Sequence, residues 1–328
     1  MKISNRKPLG WQPLKIGDVV DVVAPGFGIS NESLEQAKKF LVDLGLKPRV
    51  PADIFGPDVL CAQADSVRLR HLKAALVAKD SKAVWCLRGG YGAIRLVEPL
   101  SKLKAPALSK IFVGYSDSTT IHNFLNQYWG WATLHGPLLD RLGQHTLPLD
   151  QVNEALDVVF GRVENVVHSG LMPLNAKARA KRTLRGRVFG GNLTVTQSHL
   201  GTAFQVTPKE AVLVFEDIGE RGYRVDRILV QLEQAGYFAS TRAVVFGEFV
   251  GGEEKDGSES ISAVIQRFAD NAGFAVFRGL KAGHGQSQRM VPFNTICELR
   301  CGDIGELKIA SGAQASTTGA KPKARRKK

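Results

Sequence analysis

Apolar runs of strand length alternate with segments of helical periodicity along the first part of the chain. Residues 18–25 (DVVDVVAP) form the first run, and because Pro25 and Gly26 end it, the pattern predicts a buried strand. Asn31 can cap a following helix, whose apolar residues recur at helical spacing until Gly45. The chain is therefore predicted to open with a strand–turn–helix unit.

The same alternation continues to about residue 128. It predicts a helix over about 66–78, a strand over 83–87, a strand ending near Gly114 and a helix over about 118–128. Alternating strands and helices form a parallel sheet with helices on both faces, and ligands bind at the carboxyl ends of its strands. We therefore expect an α/β N-terminal domain with its functional site at that edge.

The pattern changes after residue 150. Residues 151–187 are polar, basic and weakly periodic, so we expect a linker there. Beyond it we predict strands over 211–217, 243–249 and 295–300, and helices near 223–235 and 260–271. This less regular order predicts four parts: an N-terminal domain over 1–150, the basic linker, a smaller mixed α+β domain over 188–310 and a disordered tail over 311–328.

The composition is that of a globular protein. The 328 residues are 44% hydrophobic and 23% charged, which excludes wholesale disorder. No apolar stretch approaches the ~18–20 residues of a membrane-spanning helix, and the first residues lack the apolar core of a secretory signal. Four cysteines are too few and too scattered for a disulfide framework. We therefore expect a cytoplasmic protein.

The net charge of +13 is unevenly placed along the chain. The tail over 311–328 holds six basic residues and no acidic one, and residues 176–187 hold another six. Nucleic-acid binders combine a basic face with aromatic side chains for stacking, and the tail has no aromatic residue. We therefore expect a solvated tail with weak, non-specific attraction to polyanions and no specific nucleic-acid partner.

A candidate nucleophile follows the strand that ends near Gly114. In GYSDST, Ser116 stands on a turn from an apolar strand into a helix. Such a turn exposes the hydroxyl, and free N–H groups at the helix start can stabilise an oxyanion. The match to the G-x-S-x-G elbow is partial because Ser118 occupies the last position. The alternative is that Ser116, Asp117 or Ser118 only caps the helix.

Two further strand ends carry candidate chemistry. RGGYG follows the strand over 83–87, and its paired glycines allow backbone N–H groups to approach a ligand, although a simple tight turn is equally open. In FEDIGE, the strand delivers Glu216 at its carboxyl end, while alternation turns Asp217 to the opposite face. Glu216 could also be an ordinary helix N-cap or a surface charge.

Among seven histidines, His284 is the leading candidate because glycines flank it in AGHGQ, where the imidazole can reach into a cleft. Its rivals are His122 and His135. A metal site is not expected, since Cys297 and Cys301 lack a second ligand pair. Ser116, Glu216 and His284 together are the residue types of a serine hydrolase triad.

The motifs VAPG, ADSVRLRHL, RGGYG, GYSDST, GGNLT, FEDIGE and GHGQ occur in that order from residue 23 to residue 286. This ordered set resembles the LD-carboxypeptidases of serine peptidase family S66, which include muramoyl-tetrapeptide carboxypeptidases and microcin C immunity peptidases. The resemblance implies Ser116 as nucleophile, Glu216 as acid and His284 as base. It also implies an oxyanion hole formed by the backbone N–H groups of Gly90 and Asp117. The GYSDST elbow departs from a commoner aromatic-Ser-Asp-aliphatic-Thr string.

The resemblance further implies a flavodoxin-like N-terminal domain, a smaller C-terminal domain, a homodimer and no cofactor. The implied activity is serine carboxypeptidase cleavage of the L,D-peptide bond that holds the terminal D-alanine of murein tetrapeptide. Arg88 is a candidate for binding the free carboxylate by its position, and a structural ion pair is an equal alternative.

Three alternatives to this activity stay open. The first is a microcin-type peptidase that cleaves an aminoacyl nucleotide conjugate and stacks its base on Trp129, Trp131 or Tyr223. The second is a non-catalytic muropeptide-binding relative. The third is an RNA- or membrane-associated protein that acts through its basic tail.

Overall fold

Two β-sheets organise the protein, whose computed structural model describes residues 8–254 and 256–314. The strands are β1 (Val19–Val23), β2 (Lys47–Arg49), β3 (Ser81–Cys86), β4 (Ile111–Gly114), β5 (Thr133–His135), β6 (Asn165–Pro173), β7 (Thr183–Asn192), β8 (Ala211–Ile218), β9 (Thr241–Val250), β10 (Ala275–Arg278), β11 (Val291–Phe293), β12 (Ile296–Arg300) and β13 (Gly305–Ala310). The helices are α1 (Asn31–Asp43), α2 (Asp65–Val77), α3 (Ile94–Ser101), α4 (Thr119–Phe124), α5 (Leu139–Gly143), α6 (Leu149–Val159), α7 (Ala176–Arg179), α8 (Leu193–Gln197), α9 (Gly222–Gln234) and α10 (Ile261–Asn271). A 3-10 turn precedes α4 and a π-helical turn follows it.

The first sheet has the strand order β11-β5-β4-β3-β1-β2. Its five N-terminal strands are parallel and give the order 2-1-3-4-5, which is that of flavodoxin. β11 comes from the C-terminal half of the chain and pairs antiparallel with β5. The expected flavodoxin-like, helix-covered parallel sheet is confirmed.

Alternation along the first-sheet strands builds two separate cores. On β3, Trp85 packs in a cluster with α1, α5 and α6, whereas Val84 and Cys86 pack in another with α2, α3 and α4. Because successive side chains point to opposite faces, an uninterrupted apolar strand requires helices on both sides. The chain supplies these helices in the connections between its strands.

The second sheet is a closed barrel with the order β10-β6-β13-β12-β7-β8-β9. Strands β7, β8, β9 and β10 run parallel, and the remaining pairs are antiparallel. The mixed α+β character expected of the C-terminal half is confirmed. The barrel places the carboxyl end of β8, which carries Glu216, next to that of β9.

The expected basic linker over 151–187 is wrong. These residues instead form most of α6, all of β6 and α7, and the first half of β7. In β6, Val166 and His168 are buried and alternate with exposed positions, but the alternation slips at Gly170, whose φ is 78°. The opposing β13 shifts register at that point, as expected for a bulge. The slip and the outward basic residues of β7 obscured the period of two in the sequence.

The expected tail also begins later than residue 311. Ser311 is buried, and the backbone N–H of Trp11 donates to Gly312 O at 3.0 Å. The backbone N–H of Gln314 in turn donates to Trp11 O at 2.8 Å. Residues 311–314 are therefore packed against the start of the chain, and the rest of the predicted tail lies outside the described residues.

Three smaller observations complete the fold. Ser30, not Asn31, is the N-cap of α1, because the backbone N–H of Ser33 donates to Ser30 Oγ at 3.1 Å. All four cysteines are free thiols. Within residues 8–254 and 256–314, none of the helices has the length and apolar character needed to cross a membrane.

Candidate active site

Ser116 lies on a strained turn at the carboxyl end of β4. Its φ of 59° is in the left-handed region, which non-glycine residues seldom occupy, and it opens the 3-10 turn that leads into α4. A Cβ added to Gly114 would lie 2.6 Å from Ser118 Cβ, so the turn can close only on a glycine. The turn leaves the Ser116 side chain partly exposed between buried neighbours, as a nucleophile requires.

The RGGYG loop after β3 lies against this serine. A Cβ added to Gly89 would come within 2.8 Å of Ser116 Cβ and 3.2 Å of Ser116 Oγ. Gly90 has a φ of 104°, and a Cβ there would lie 2.3 Å from Phe27 Cγ. Both positions therefore require glycine, which allows the backbone of the loop to approach the hydroxyl closely.

Asp117 fastens the loop to the serine turn. Its buried Oδ2 accepts a hydrogen bond from the backbone N–H of Ala93 at 2.9 Å. Burial raises the pKa of this carboxyl to about 6, while the Ala93 N–H and the charge of Arg68 oppose the shift. The side chain of Asp117 thus fixes the spacing between two segments whose backbone N–H groups could serve an oxyanion.

Glu216 and His284 form a hydrogen-bonded pair between β8 and the loop that follows β10. His284 Nδ1 lies 2.6 Å from Glu216 Oε2, and the Glu216 side chain is completely buried. Burial alone would lower the pKa of His284, but the hydrogen bond and charge of Glu216 outweigh it and raise the pKa above the ordinary value. The buried carboxylate thereby fixes the ring orientation and favours the imidazolium.

The N-terminal and C-terminal halves of the chain meet at the Glu216–His284 pair. The ring of Tyr115, the residue before Ser116, lies edge-on to His284 with their centroids 4.9 Å apart. No hydrogen bond joins Ser116 to His284 among the described residues. Catalytic hydrogen bonds commonly tighten only when substrate binds, so this geometry is compatible with proton transfer between them.

Asp217, the neighbour of Glu216, points away into a different network. Its carboxylate accepts hydrogen bonds from Asn192 Nδ2 at 2.8 Å, and from the backbone N–H and hydroxyl of Thr194 at 2.9 and 2.8 Å. Burial and the nearby Glu216 raise its pKa to about 6. Asp217 therefore holds the start of α8. Its side chain points away from that of Glu216 because successive residues of a strand face opposite sides.

A second carboxylate, Glu248 on β9, was missed by the sequence reasoning. Its Oε2 accepts the backbone N–H of Gly285 at 3.0 Å, and its own backbone N–H donates to Ala282 O at 3.0 Å. A Cβ on Gly283 would lie 2.4 Å from Glu248 Cβ, so the loop needs glycine to pack there. Glu248 thus holds both sides of the His284 loop, and its place at the end of the strand next to β8 was the available signal.

The other oxygen of Glu216 faces a second buried histidine. His135 Nε2 lies 4.0 Å from Glu216 Oε1, and the ring of Tyr115 lies 4.3 Å from that of His135. Within the described chain, Glu216 Oε1, both His135 ring nitrogens and the Tyr115 hydroxyl are buried without a hydrogen-bond partner. Burial first, and then the charges of His122 and His284, hold the pKa of His135 well below the ordinary value, which favours the neutral ring.

His122, the other rival, has a structural role. Its ring nitrogens lie 2.8 Å from Thr133 Oγ1 and 3.0 Å from Gly114 O, and burial lowers its pKa to about 4. It therefore ties α4 to β4 and β5 beneath the Ser116 turn.

Models of known families match both halves of the chain. The model of the LD-carboxypeptidase N-terminal domain matches residues 20–136, which include Ser116. The model of the LD-carboxypeptidase C-terminal domain matches residues 185–299, which include Glu216 and His284. The chain belongs to the LD-carboxypeptidase family.

Individual relatives agree with this membership. A Rickettsia conorii protein named "Putative carboxypeptidase" is 34% identical over 278 residues, which are 84% of this chain and 86% of that protein. The murein tetrapeptide carboxypeptidase of Pseudomonas aeruginosa is 28% identical over 295 residues, which are 88% of this chain and 94% of that protein. The structure of the microcin C7 self-immunity protein shares the fold, with a TM-score of 0.77, 17% identity and coverage of 92% of this chain and 98% of that one.

The other residues that the sequence suggested for substrate or metal binding differ in their exposure within this LD-carboxypeptidase fold. Arg88 is exposed at the start of the RGGYG loop and makes no ion pair with any residue that the structure describes. Trp129 and Trp131 are 3% and 0% exposed, whereas Tyr223 is 49% exposed. Over residues 8–254 and 256–314, no three His, Cys, Asp or Glu side chains are grouped to hold a metal ion.

Proposed function

We propose that this protein is a serine carboxypeptidase that hydrolyses an L,D-peptide bond and releases the terminal D-alanine of murein tetrapeptide. The observation that carries the proposal is the 2.6 Å hydrogen bond between Glu216 and His284, beside the left-handed turn of Ser116. A buried carboxylate, an oriented imidazole and a partly exposed serine are the parts of an acyl-transfer site.

In the proposed reaction, His284 acts first as base and then as acid. Nε2 of His284 takes the proton of Ser116 Oγ as the oxygen attacks the scissile carbonyl, and Glu216 stabilises the imidazolium. The imidazolium then gives that proton to the leaving amine of D-alanine. His284 then deprotonates a water that attacks the acyl-enzyme, and the imidazolium returns that proton to Ser116 Oγ as the ester bond breaks and the shortened peptide leaves.

The proposed oxyanion hole consists of the backbone N–H groups of Gly90 and Asp117. The close approach of the RGGYG loop to Ser116 and the bond from Ala93 to Asp117 support this assignment. Loss of one such donor costs roughly 2.7–4 kcal/mol of transition-state stabilisation. The clash with Phe27 makes Gly90 the more sensitive position to substitution.

The name of the Pseudomonas relative supports murein tetrapeptide as the substrate. The direct test is to incubate the enzyme with free tetrapeptide and weigh the products by mass spectrometry, with Ser116→Ala as the matched control. The expected product is the tripeptide plus D-alanine. An intact tetrapeptide after prolonged incubation with wild-type enzyme would refute the proposed substrate.

A carboxypeptidase must also discriminate the end of its substrate. We expect no cleavage of the tetrapeptide amide or of the pentapeptide that carries a further D-alanine. Efficient cleavage of the amide would identify an endopeptidase instead.

One observation favours a second candidate, a peptidase that acts on an aminoacyl nucleotide conjugate. Of the three aromatic residues considered for base stacking, only Tyr223 is exposed, and the guanidinium carbons of Arg221 and Arg227 lie 5.2 and 5.8 Å from its ring centroid. An aromatic ring among cations suits a base with its phosphate. Release of free amino acid from an aminoacyl sulfamoyl adenosine, with loss in Tyr223→Ala but not in Tyr128→Ala, would support this candidate.

We further propose a cytoplasmic homodimer in which the nucleophile half and the acid–base half of each chain form one site. Family membership supports the oligomeric state. Light scattering on the purified protein tests it, with a mass of two chains as the expected result and a concentration-independent monomer as the contrary one.

A further inference from the structure

Arg141, on the short helix α5, lies at the same sheet edge as Ser116. The backbone N–H of Asp140 donates to Leu87 O at 3.1 Å, which places α5 directly against the start of the RGGYG loop. The segment before it is held by the backbone N–H of Gly136, which donates to Gly114 O at 3.1 Å. Two backbone hydrogen bonds therefore fix the segment that leads to Arg141 beside the carboxyl ends of β3 and β4.

The Arg141 side chain is held in place at one nitrogen only. Its Nε donates to Thr146 Oγ1 at 2.7 Å, and that hydroxyl donates to the Arg141 carbonyl oxygen at 3.3 Å. Among the described residues, the two terminal nitrogens of the guanidinium have no hydrogen-bond or ion-pair partner. The result is a partly buried, oriented fork whose two outer N–H edges are available, which is the arrangement that binds a carboxylate with two hydrogen bonds.

The positive charge of Arg141 acts to lower the pKa values of the buried groups near it. It opposes the upward pKa shifts that burial and Glu216 impose on Tyr115, and it also opposes protonation of His284. Arg88 and Arg141 together hold down the pKa of Asp140, which burial raises. Two cations thus flank one buried carboxyl group beside the triad.

We propose that Arg141 binds the terminal carboxylate of the peptide substrate through its two free guanidinium nitrogens, with the exposed Arg88 as a second, weaker cation. The ligand class is a peptide with a free C-terminal carboxylate. This site deepens the proposed function and rests on it, because an exopeptidase must hold that group one residue beyond the bond that Ser116 attacks.

Binding rather than turnover tests this assignment. In a Ser116→Ala background, titration calorimetry measures the affinity for the tetrapeptide and for its C-terminal amide. We expect the background protein to bind the free acid at least tenfold more tightly than the amide. Adding Arg141→Met should reduce that ratio to within about twofold of one, and Arg141→Lys should keep part of it because the charge remains.

Two controls keep the outcomes distinct. Arg162→Met removes an exposed arginine that pairs with Asp157, and it should leave the ratio unchanged. Arg88→Met should lower the ratio less than Arg141→Met does. Equal affinity for acid and amide in the background protein, or a full preference retained in Arg141→Met, would overturn the clamp, whereas binding of neither peptide would overturn the proposed substrate.

Discussion

The buried polar groups at the two ends of the first sheet differ in whether they have hydrogen-bond or ion-pair partners. At the amino end, Asp21 Oδ1 accepts Arg49 Nε at 2.6 Å, and Lys110 Nζ donates to Ser81 Oγ at 2.6 Å and to Ala75 O at 2.7 Å. Ser81 Oγ in turn donates to Asp21. Each charged group in this network has a partner, as the cost of burying charge demands.

At the carboxyl end the pairing is incomplete. The ring nitrogens of His135 and the hydroxyl of Tyr115, together with Glu216 Oε1 from the adjoining barrel strand β8, are buried with no partner among the described residues, and Ser116 is held at a φ of 59°. Unpaired buried groups and left-handed backbone both cost free energy, which only the surrounding fold can offset. Buried charge alone is therefore a poor indicator of a functional site; strain and unpaired polar atoms around a paired acid and histidine are a better one.

The largest contrast between the two ends should come from Ser116→Ala. We expect kcat on the tetrapeptide to fall by about 10⁴-fold or more, because the nucleophile is lost. The free energy of unfolding should change by less than about 1–2 kcal/mol, since the side chain is partly exposed and has no hydrogen-bond partner among the described residues. Product mass and thermal melting measure the two quantities, and activity above a few per cent of wild type would remove Ser116 from the reaction.

Adjacent residues on β8 provide the next contrast. Glu216→Gln should lower kcat by about 10³–10⁴-fold, because a neutral amide cannot stabilise the imidazolium of His284. Asp217→Asn should keep activity within about tenfold but lower the free energy of unfolding by about 1–3 kcal/mol, since an amide nitrogen cannot accept from Thr194. Steady-state rates and urea unfolding distinguish the pair, and the reverse ranking would mean that the acid is misassigned.

At the opposite end of the sheet, Lys110→Met should affect stability and not chemistry. It leaves Ser81 without its donor and removes the second cation near Asp21, which keeps Arg49, so we expect unfolding to become easier by about 1–3 kcal/mol. The value of kcat should stay within about threefold of wild type. A large loss of kcat in a protein that still melts cooperatively would show that the two ends are coupled.

The pH profile should report the Glu216–His284 pair. Burial lowers the pKa of His284, but Glu216 raises it more, so the folded pKa exceeds the ordinary ~6.5. Since only neutral His284 can accept the serine proton, kcat/KM should fall as pH falls through this raised value, and Glu216→Gln should move that limb to lower pH. The pair should also stabilise the fold fully below about pH 6.5 and lose that contribution as pH rises through the folded pKa.

The sequence predicted the structure best where the pattern of apolar residues was regular. Strands β1, β3 and β4 carry apolar runs that are followed by glycine-bearing turns, so they and the turn at Ser116 were predictable, whereas the short strands β2 and β5 were not. The alternation of buried and exposed residues is interrupted in β6, which is half-exposed and has a bulge at Gly170, and in the basic strand β7. Both segments therefore resembled a linker in the sequence. β6 pairs with β13, and β7 pairs on one side with β12, so each has a partner more than 100 residues away along the chain.

Side chains that act through other side chains were not predictable in the same way. Glu248 ends a strand as Glu216 does, but its role depends on a loop that comes 35 residues later and packs on it. Arg141 follows a strand of only three residues, and its free nitrogens become evident only when Thr146 is seen to hold the remaining one. Such roles depend on contacts across the fold rather than on local pattern.

The most direct test of the central claim is to trap the acyl-enzyme. Wild-type protein quenched in acid during turnover of the tetrapeptide, digested and analysed by mass spectrometry should carry the tripeptide acyl group on the peptide that contains Ser116. The same peptide from Ser116→Ala should be unmodified. An adduct on any other residue, or product formation by Ser116→Ala at the wild-type rate, would contradict the assignment of Ser116 as the nucleophile.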